Sequence, residues 1–225
     1  MEIDGKTIDI YPSKTPDAPL VMLNSFMRSD GEVCEKCEEL ACGDFTLAEI
    51  SGLNWNDELS PWSCLPRHER DETYGGKADA YLDLLLRQIL PAVRAELPDK
   101  PSCILLAGYS LAGLFALYAA TKCDVFQAIA SCSGSLWFPD FKEYILGQDT
   151  ANFPKHLYFS LGDREARTRH PLFRSVEDNT RAIVAFLSAN GVNTVLEMNQ
   201  GNHFQEGMLR TAKGIKWMTE QIRKR

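Results

Sequence analysis

A serine hydroxyl attacks a carbonyl carbon only when a base takes its proton and a tight turn lifts it clear of its surroundings. The segment Gly108-Tyr109-Ser110-Leu111-Ala112-Gly113 offers such a turn, between the apolar run Cys103 to Ala107 and the helix-forming run Leu111 to Ala120. Gly108 and Ala112, two places either side of Ser110, leave room for the helix to pass close to the strand. Ser110 at the apex is then expected in a strained backbone conformation costing about 1–3 kcal/mol. The pattern is G-x-S-x-A rather than G-x-S-x-G, and its weight comes from its place between a buried strand and a helix. The competing reading is an ordinary loop in which Ser110 caps the helix.

The partners a nucleophilic serine needs stand downstream. His203 lies in Asn199-Gln200-Gly201-Asn202-His203-Phe204, a run of turn-forming residues ahead of the last helix. Of the other histidines, His68 falls in a long loop, His156 starts a strand and His170 precedes Pro171. The strand Leu157 to Leu161 runs into Gly162-Asp163-Arg164-Glu165, which offers two carboxylates to orient the imidazole. Asp163 also suits a turn role after Gly162, whereas Glu165 has the longer reach and is preferred. The order serine, acid, histidine is the one used when such groups follow successive strands of a parallel sheet. A tetrahedral oxyanion needs backbone N–H donors, each contributing roughly 3 kcal/mol. Leu111, next after Ser110, is one candidate; Ser25 or Phe26, after the strand ending at Asn24, is the other.

These groups need elements to carry them to one place. Strand and helix patterns alternate along the chain, which predicts an α/β fold with a mainly parallel sheet covered by helices on both faces. Strands are expected at Thr7 to Tyr11, Pro19 to Asn24, Phe45 to Ser51, Cys103 to Ala107, Val125 to Cys132, His156 to Leu161 and Val192 to Met198. Apolar periodicity places helices over Lys77 to Leu97, with a kink at Pro91, over Phe173 to Ala189, and over a final stretch through Met208, Ala212, Ile215 and Ile222. Gly52 to Gly76 reads as one long irregular loop holding Trp55, Pro61, Trp62, Pro66, His68 and Tyr74. In parallel sheets, sites form at the carboxyl edge, where every candidate above belongs.

With 225 residues, 44% hydrophobic and 24% charged, the chain suits a single domain over 1–225. A formal charge of −7 speaks against nucleic acid or an anionic membrane as partner. No stretch is apolar enough to span a bilayer, and Met1 to Lys6 lacks the character of a signal peptide, so a cytoplasmic location is the expectation. Seven cysteines are then expected as reduced thiols. Cys34-Glu35-Lys36-Cys37, with Cys42 and Cys64, fits no common zinc spacing. Val33, Cys34, Cys37, Leu40 and Ala41 instead share one helical face, with Ser29 to Glu32 as a capping box and Gly43 as the stop. No metal and no cofactor is called for.

Taken together, Gly108 to Gly113, Ser131-Cys132-Ser133-Gly134-Ser135-Leu136-Trp137, Leu161 to Glu165 and Gly201 to Phe204 resemble the α/β-hydrolase superfamily, and within it the putative esterase family of enterochelin esterases, esterase D and the antigen 85 mycolyltransferases. The resemblance covers nearly the whole chain. It implies an α/β-hydrolase fold, Ser110 as nucleophile, His203 as base, Glu165 as acid, and Leu111 and Phe26 as oxyanion-hole donors, although Asn24-Ser25 stands where the family usually has Asp-Gly. It further implies a cofactor-free serine esterase for a small-molecule ester with short acyl or siderophore-like groups. The alternatives are an acyltransferase or thioesterase with the same residues, or a binding protein on a hydrolase fold. The 24 positions from Cys132 to His156 allow only a minimal lid. Specificity then falls to the Asn54 to Tyr74 loop and to Ser133 to Pro139, with Trp137 and Phe138 serving there or in packing.

Overall fold

The strands Leu20–Asn24 and Ile104–Tyr109 are apolar along most of their length, a composition that suits strands covered on both faces. In the computed structural model, which describes residues 1–64 and 73–224, both lie inside an eight-stranded sheet. The chain begins with β1 (Glu2–Ile3), β2 (Lys6–Tyr11), β3 (Leu20–Asn24), α1 (Glu32–Glu39) and β4 (Thr46–Ser51). Next come α2 (Trp55–Glu58), the ribbon strands β5 (Ser63–Cys64) and β6 (Tyr74–Gly75), then α3 (Ala78–Leu84), a π-helical turn (Leu85–Ile89) and α4 (Leu90–Glu96). The second half runs β7 (Ile104–Tyr109), α5 (Leu111–Ala120), β8 (Phe126–Cys132), α6 (Phe141–Leu146), β9 (His156–Gly162), α7 (Pro171–Arg174), α8 (Val176–Ala189), β10 (Asn193–Asn199) and α9 (Gly207–Arg223).

The strand order is β1-β2-β4-β3-β7-β8-β9-β10. From β4 to β10 every neighbour is parallel, while β1 and β2 add antiparallel pairings at one edge. The expected mainly parallel sheet is therefore present. Side chains alternate between two core layers. Leu20, Met22, Leu106 and Ile129 pack with Phe115 and Ile183 on one face. Val21, Leu23, Leu105 and Ala130 pack with Val33 of α1 and with Ala212, Ile215 and Met218 of α9 on the other. Helix α5, apolar all round, has every residue buried, as such a helix must. After β3 the chain steps to β4 on one side, and β7 lies on the other side of β3. Such a reversal opens a crevice beyond the carboxyl ends of the two strands.

Several local expectations need correction. Ser29 does not cap α1: its N–H and its hydroxyl both donate to the Glu49 carboxylate, at 2.9 and 2.7 Å. Gly31 is the N-cap, and Leu40 rather than Gly43 closes the helix. The stretch from Lys77 to Leu97 carries a π-helical turn just before Pro91. Proline removes one N–H and crowds the carbonyl four residues back, which a widened turn accommodates. The helix expected over Phe173 to Ala189 is two, α7 and α8, separated at Ser175. Part of the supposedly irregular 52–76 segment is ordered as α2 and the β5–β6 ribbon, while Pro66 and His68 lie outside the described residues. Phe138 is buried against Trp62 and Tyr74, so its role is packing. Between β8 and β9 the regular elements among the described residues are α6 and a single 3-10 turn, in keeping with a minimal lid.

Candidate active site

The strand-turn-helix geometry around Ser110 follows from its small neighbours. β7 ends at Tyr109 and α5 begins at Leu111, leaving Ser110 with φ 60° and ψ −124° and no cap bond from its side chain. A Cβ at Gly108 would stand 2.4 Å from the backbone C and O of Ala112, so only glycine lets α5 start so close to the strand. The strain falls on Ser110 and aims its hydroxyl away from the helix, against the capping alternative.

The Oγ of Ser110 lies 2.9 Å from Nε2 of His203, and Nδ1 of the same ring lies 2.8 Å from Oε2 of Glu165. A carboxylate only accepts, so Nδ1 carries the proton and Nε2 is left to accept from the serine. Of the two carboxylates in the Gly162 to Glu165 turn, Glu165 thus meets the imidazole. Asp163 accepts the Gly201 N–H at 2.8 Å, and its own N–H donates to Asn199 O at 2.8 Å. Asp163 therefore fastens the loop after β9 to the loop that carries His203. His156 pairs with Asn193 at the start of β9, and His170 stacks on Phe173 with ring centroids 4.3 Å apart; neither joins this group.

Glu165 is only 4% exposed at its side chain. Burial pushes its pKa up, but the hydrogen bond and charge of His203 and the Gly162 N–H outweigh it and hold the carboxyl below its ordinary value. The Arg210 guanidinium, 3.0 Å from Oε1, acts in the same sense. Sequence reasoning passed over Arg210. It sits on α9 roughly 200° around the helix from Ala212 at 3.6 residues per turn, where a charged residue reads as solvent-facing, yet it is 1% exposed. Tyr109 was also missed as a contributor: its hydroxyl donates to the His203 carbonyl at 2.7 Å.

Two backbone donors were expected beside the serine. Leu111 opens α5, where the first N–H groups have no acceptor within the helix. At the end of β3, in register with Gly108, the Ser25 N–H is taken by Ile50 O at 2.8 Å, which leaves Phe26 as the candidate of that pair. Ser135 sits at the third side of Ser110, its Oγ 3.3 Å from Ser110 Oγ and its N–H donating to Ser110 O. The surroundings are open and partly apolar. The His203 side chain is 27% exposed, Phe204 beside it is 91% exposed and meets its ring edge-on, and Phe26, 67% exposed, meets Trp55 edge-on.

All seven cysteines are free thiols. Cys37 is buried beneath α9, with Cys34 partly so. Among the described residues no group of three or more His, Cys, Asp or Glu could hold a metal ion, and no helix is long and apolar enough to cross a membrane.

Known proteins resemble this chain in sequence and in fold. The uncharacterized protein YbbA of Bacillus subtilis (strain 168) is 26% identical over 195 residues, covering 82% of this chain and 78% of YbbA. Among solved structures, an IroE-like serine hydrolase from Shewanella oneidensis superposes with a TM-score of 0.79 at 17% identity, over 96% of this chain and 76% of its own. The siderophore hydrolase EstA from Aspergillus nidulans gives 0.75 at 19% identity, over 96% and 90%. These likenesses establish an α/β-hydrolase fold. A family model described as Putative esterase matches residues 53–190, which include Ser110 and Glu165 and stop short of His203. That match spans more than half of the 225 residues, and with it the chain belongs to the Putative esterase family, whose class of chemistry is ester hydrolysis.

Proposed function

We propose that the chain is a serine carboxylic-ester hydrolase in which Ser110 is the nucleophile, His203 the base and Glu165 the group that orients the base. One observation carries this reading: a strained serine whose Oγ is 2.9 Å from an imidazole that is itself held by a carboxylate at 2.8 Å. Ser110 Oγ attacks the ester carbonyl while His203 Nε2 takes its proton, and the same proton goes to the departing alcohol. The Leu111 and Phe26 N–H groups receive the oxyanion. Water, activated by His203, then releases the acid. Glu165 stays ionised throughout and stabilises the transient imidazolium.

An exposed imidazole edge gives water ready access, which favours hydrolysis over transfer to a second acceptor. The exposed apolar side chains of Phe204, against the His203 ring, and of Phe26, in the loop after β3, and the siderophore hydrolases among proteins of the same fold, support short acyl or siderophore-like esters as substrates. Replacing the nucleophile of a serine hydrolase costs about a millionfold in turnover. Ser110→Ala should accordingly abolish hydrolysis of p-nitrophenyl acetate and labelling by a fluorophosphonate, with an unchanged circular dichroism spectrum. Wild-type activity in that variant would sink the proposal.

A further inference from the structure

At the carboxyl edge of the sheet, one side chain touches the end of β7 and the loops after β8, β9 and β10. Nη1 of Arg210 donates to Glu165 Oε1 at 3.0 Å, to Ser133 Oγ at 3.1 Å and toward Tyr109 Oη at 3.2 Å. Nη2 donates to Gln200 O at 3.1 Å. Tyr109 ends β7 next to the nucleophile, Ser133 follows β8, Glu165 lies in the loop after β9, and Gln200 begins the loop of His203. The backbone leaves room for this. A Cβ on Gly162 would lie 2.3 Å from Gly201 O and 3.0 Å from both terminal nitrogens of Arg210, so the turn before Glu165 closes around the guanidinium only because residue 162 has no side chain.

Stability alone does not account for a cation in this position. A buried guanidinium pays a desolvation penalty that an apolar side chain of similar size avoids, and the Arg210 Nε has no hydrogen-bond partner. Lysine could supply the charge, but only a planar fork presents donors toward three loops and a strand end at fixed angles. Resting on the proposed roles of Ser110, His203 and Glu165, we propose that Arg210 is a positioning residue for the reaction. By holding Oε1 it turns Oε2 of Glu165 toward His203 Nδ1. Through Tyr109, whose hydroxyl it meets and which donates to His203 O, it also sets the height of the imidazole above the serine. Its charge makes the carboxylate less basic, so that the proton taken from Ser110 stays on the imidazole.

The test uses the full chain with p-nitrophenyl acetate, comparing wild type with Arg210→Met, Arg210→Lys, Tyr109→Phe and Ser110→Ala. Displacing a reacting group by about 1 Å costs on the order of 100-fold, so Arg210→Met should lose roughly 10- to 100-fold in kcat with KM nearly unchanged. Loss of a cation beside the Glu165–His203 pair should also move the acidic limb of kcat/KM to higher pH, since the remaining neighbours, Tyr109 and the mutually facing Asp163 and Arg164, do not replace its charge. Arg210→Lys should restore the position of that limb more fully than it restores kcat. Tyr109→Phe, which keeps the core volume, should lower kcat several-fold. If Arg210→Met does not fold, Arg210→Lys and Tyr109→Phe decide the matter. Folded variants with wild-type kcat and pH profile overturn the positioning role, even while Ser110→Ala is inactive. An active Ser110→Ala overturns the nucleophile assignment instead.

Discussion

Glu165 is tied on both oxygens: Oε2 to His203, and Oε1 to Arg210 and to the Gly162 N–H at 2.6 Å. Because its folded pKa is held below the ordinary value, the stabilisation it contributes is complete above the unfolded glutamate value of about 4.3 and is withdrawn as pH falls through the lower folded value. Glu165→Gln should lower stability at neutral pH by on the order of 3 kcal/mol, since it leaves a buried guanidinium without its counter-charge. Urea unfolding at a series of pH values should show the gap between wild type and variant closing below about pH 4. A gap independent of pH would mean that the carboxylate charge is not the stabilising element. The serine, the histidine and both candidate acids were legible in the sequence because each follows a strand in a turn-forming run. The choice of Glu165 over Asp163 rested on reach, and the contacts of Asp163 explain its presence as a fastener between loops. Arg210 was illegible because its burial comes from loops far away in sequence closing over the start of α9.

Among the elements, the junction of β7 with α5 tolerates least. Gly108→Ala would place a methyl group against the Ala112 backbone, which cannot swing aside as a flexible side chain could. Overpacking of this kind costs about 1–3 kcal/mol, and here it also pushes α5 and its first N–H groups away from the serine. The variant should therefore show a lower urea midpoint together with a reduced kcat; a stable variant with normal turnover would contradict the close approach. Patterns decided by local residues were readable: the continuous apolar strands and the Leu111 to Ala120 helix are where their apolar and helix-forming runs put them. The misreadings arose where a distant partner or backbone bonding prevailed. Ser29 to Glu32 has the spacing of a capping box, but Glu49, twenty positions on, takes the Ser29 hydroxyl. The π-helical turn before Pro91 changes backbone bonding without leaving a mark in the apolar pattern of Ala78, Tyr81, Leu82, Leu85 and Ile89.

At the scale of the molecule, the sheet separates two apolar layers that enclose several thiols. Cys37, Cys103 and Cys132 are buried. Burial pushes Cys132 up to about 12 and Cys34 up to about 11, so neither forms thiolate readily near neutrality. A thiol reagent such as Ellman's at pH 8 should leave Cys37, Cys103 and Cys132 unmodified in the native protein and titrate all seven after denaturation. Rapid native reaction at those three would show that the two layers are not closed. The order of strands across the sheet, with its reversal at β3, was not readable, because it depends on which strands pair and not on any one of them.

The groups gathered around Ser110 come from positions 110, 135, 165, 203 and 210, so they are made in a fixed order during translation. Between the synthesis of position 110 and that of position 203, a nascent chain carries the Ser110 hydroxyl without the imidazole that faces it. Only when α9 has left the ribosome and docked can the imidazole loop, the guanidinium and the carboxylate come together beside it. Copies truncated before His203 and α9 are thereby left without the imidazole and the guanidinium that gather at Glu165.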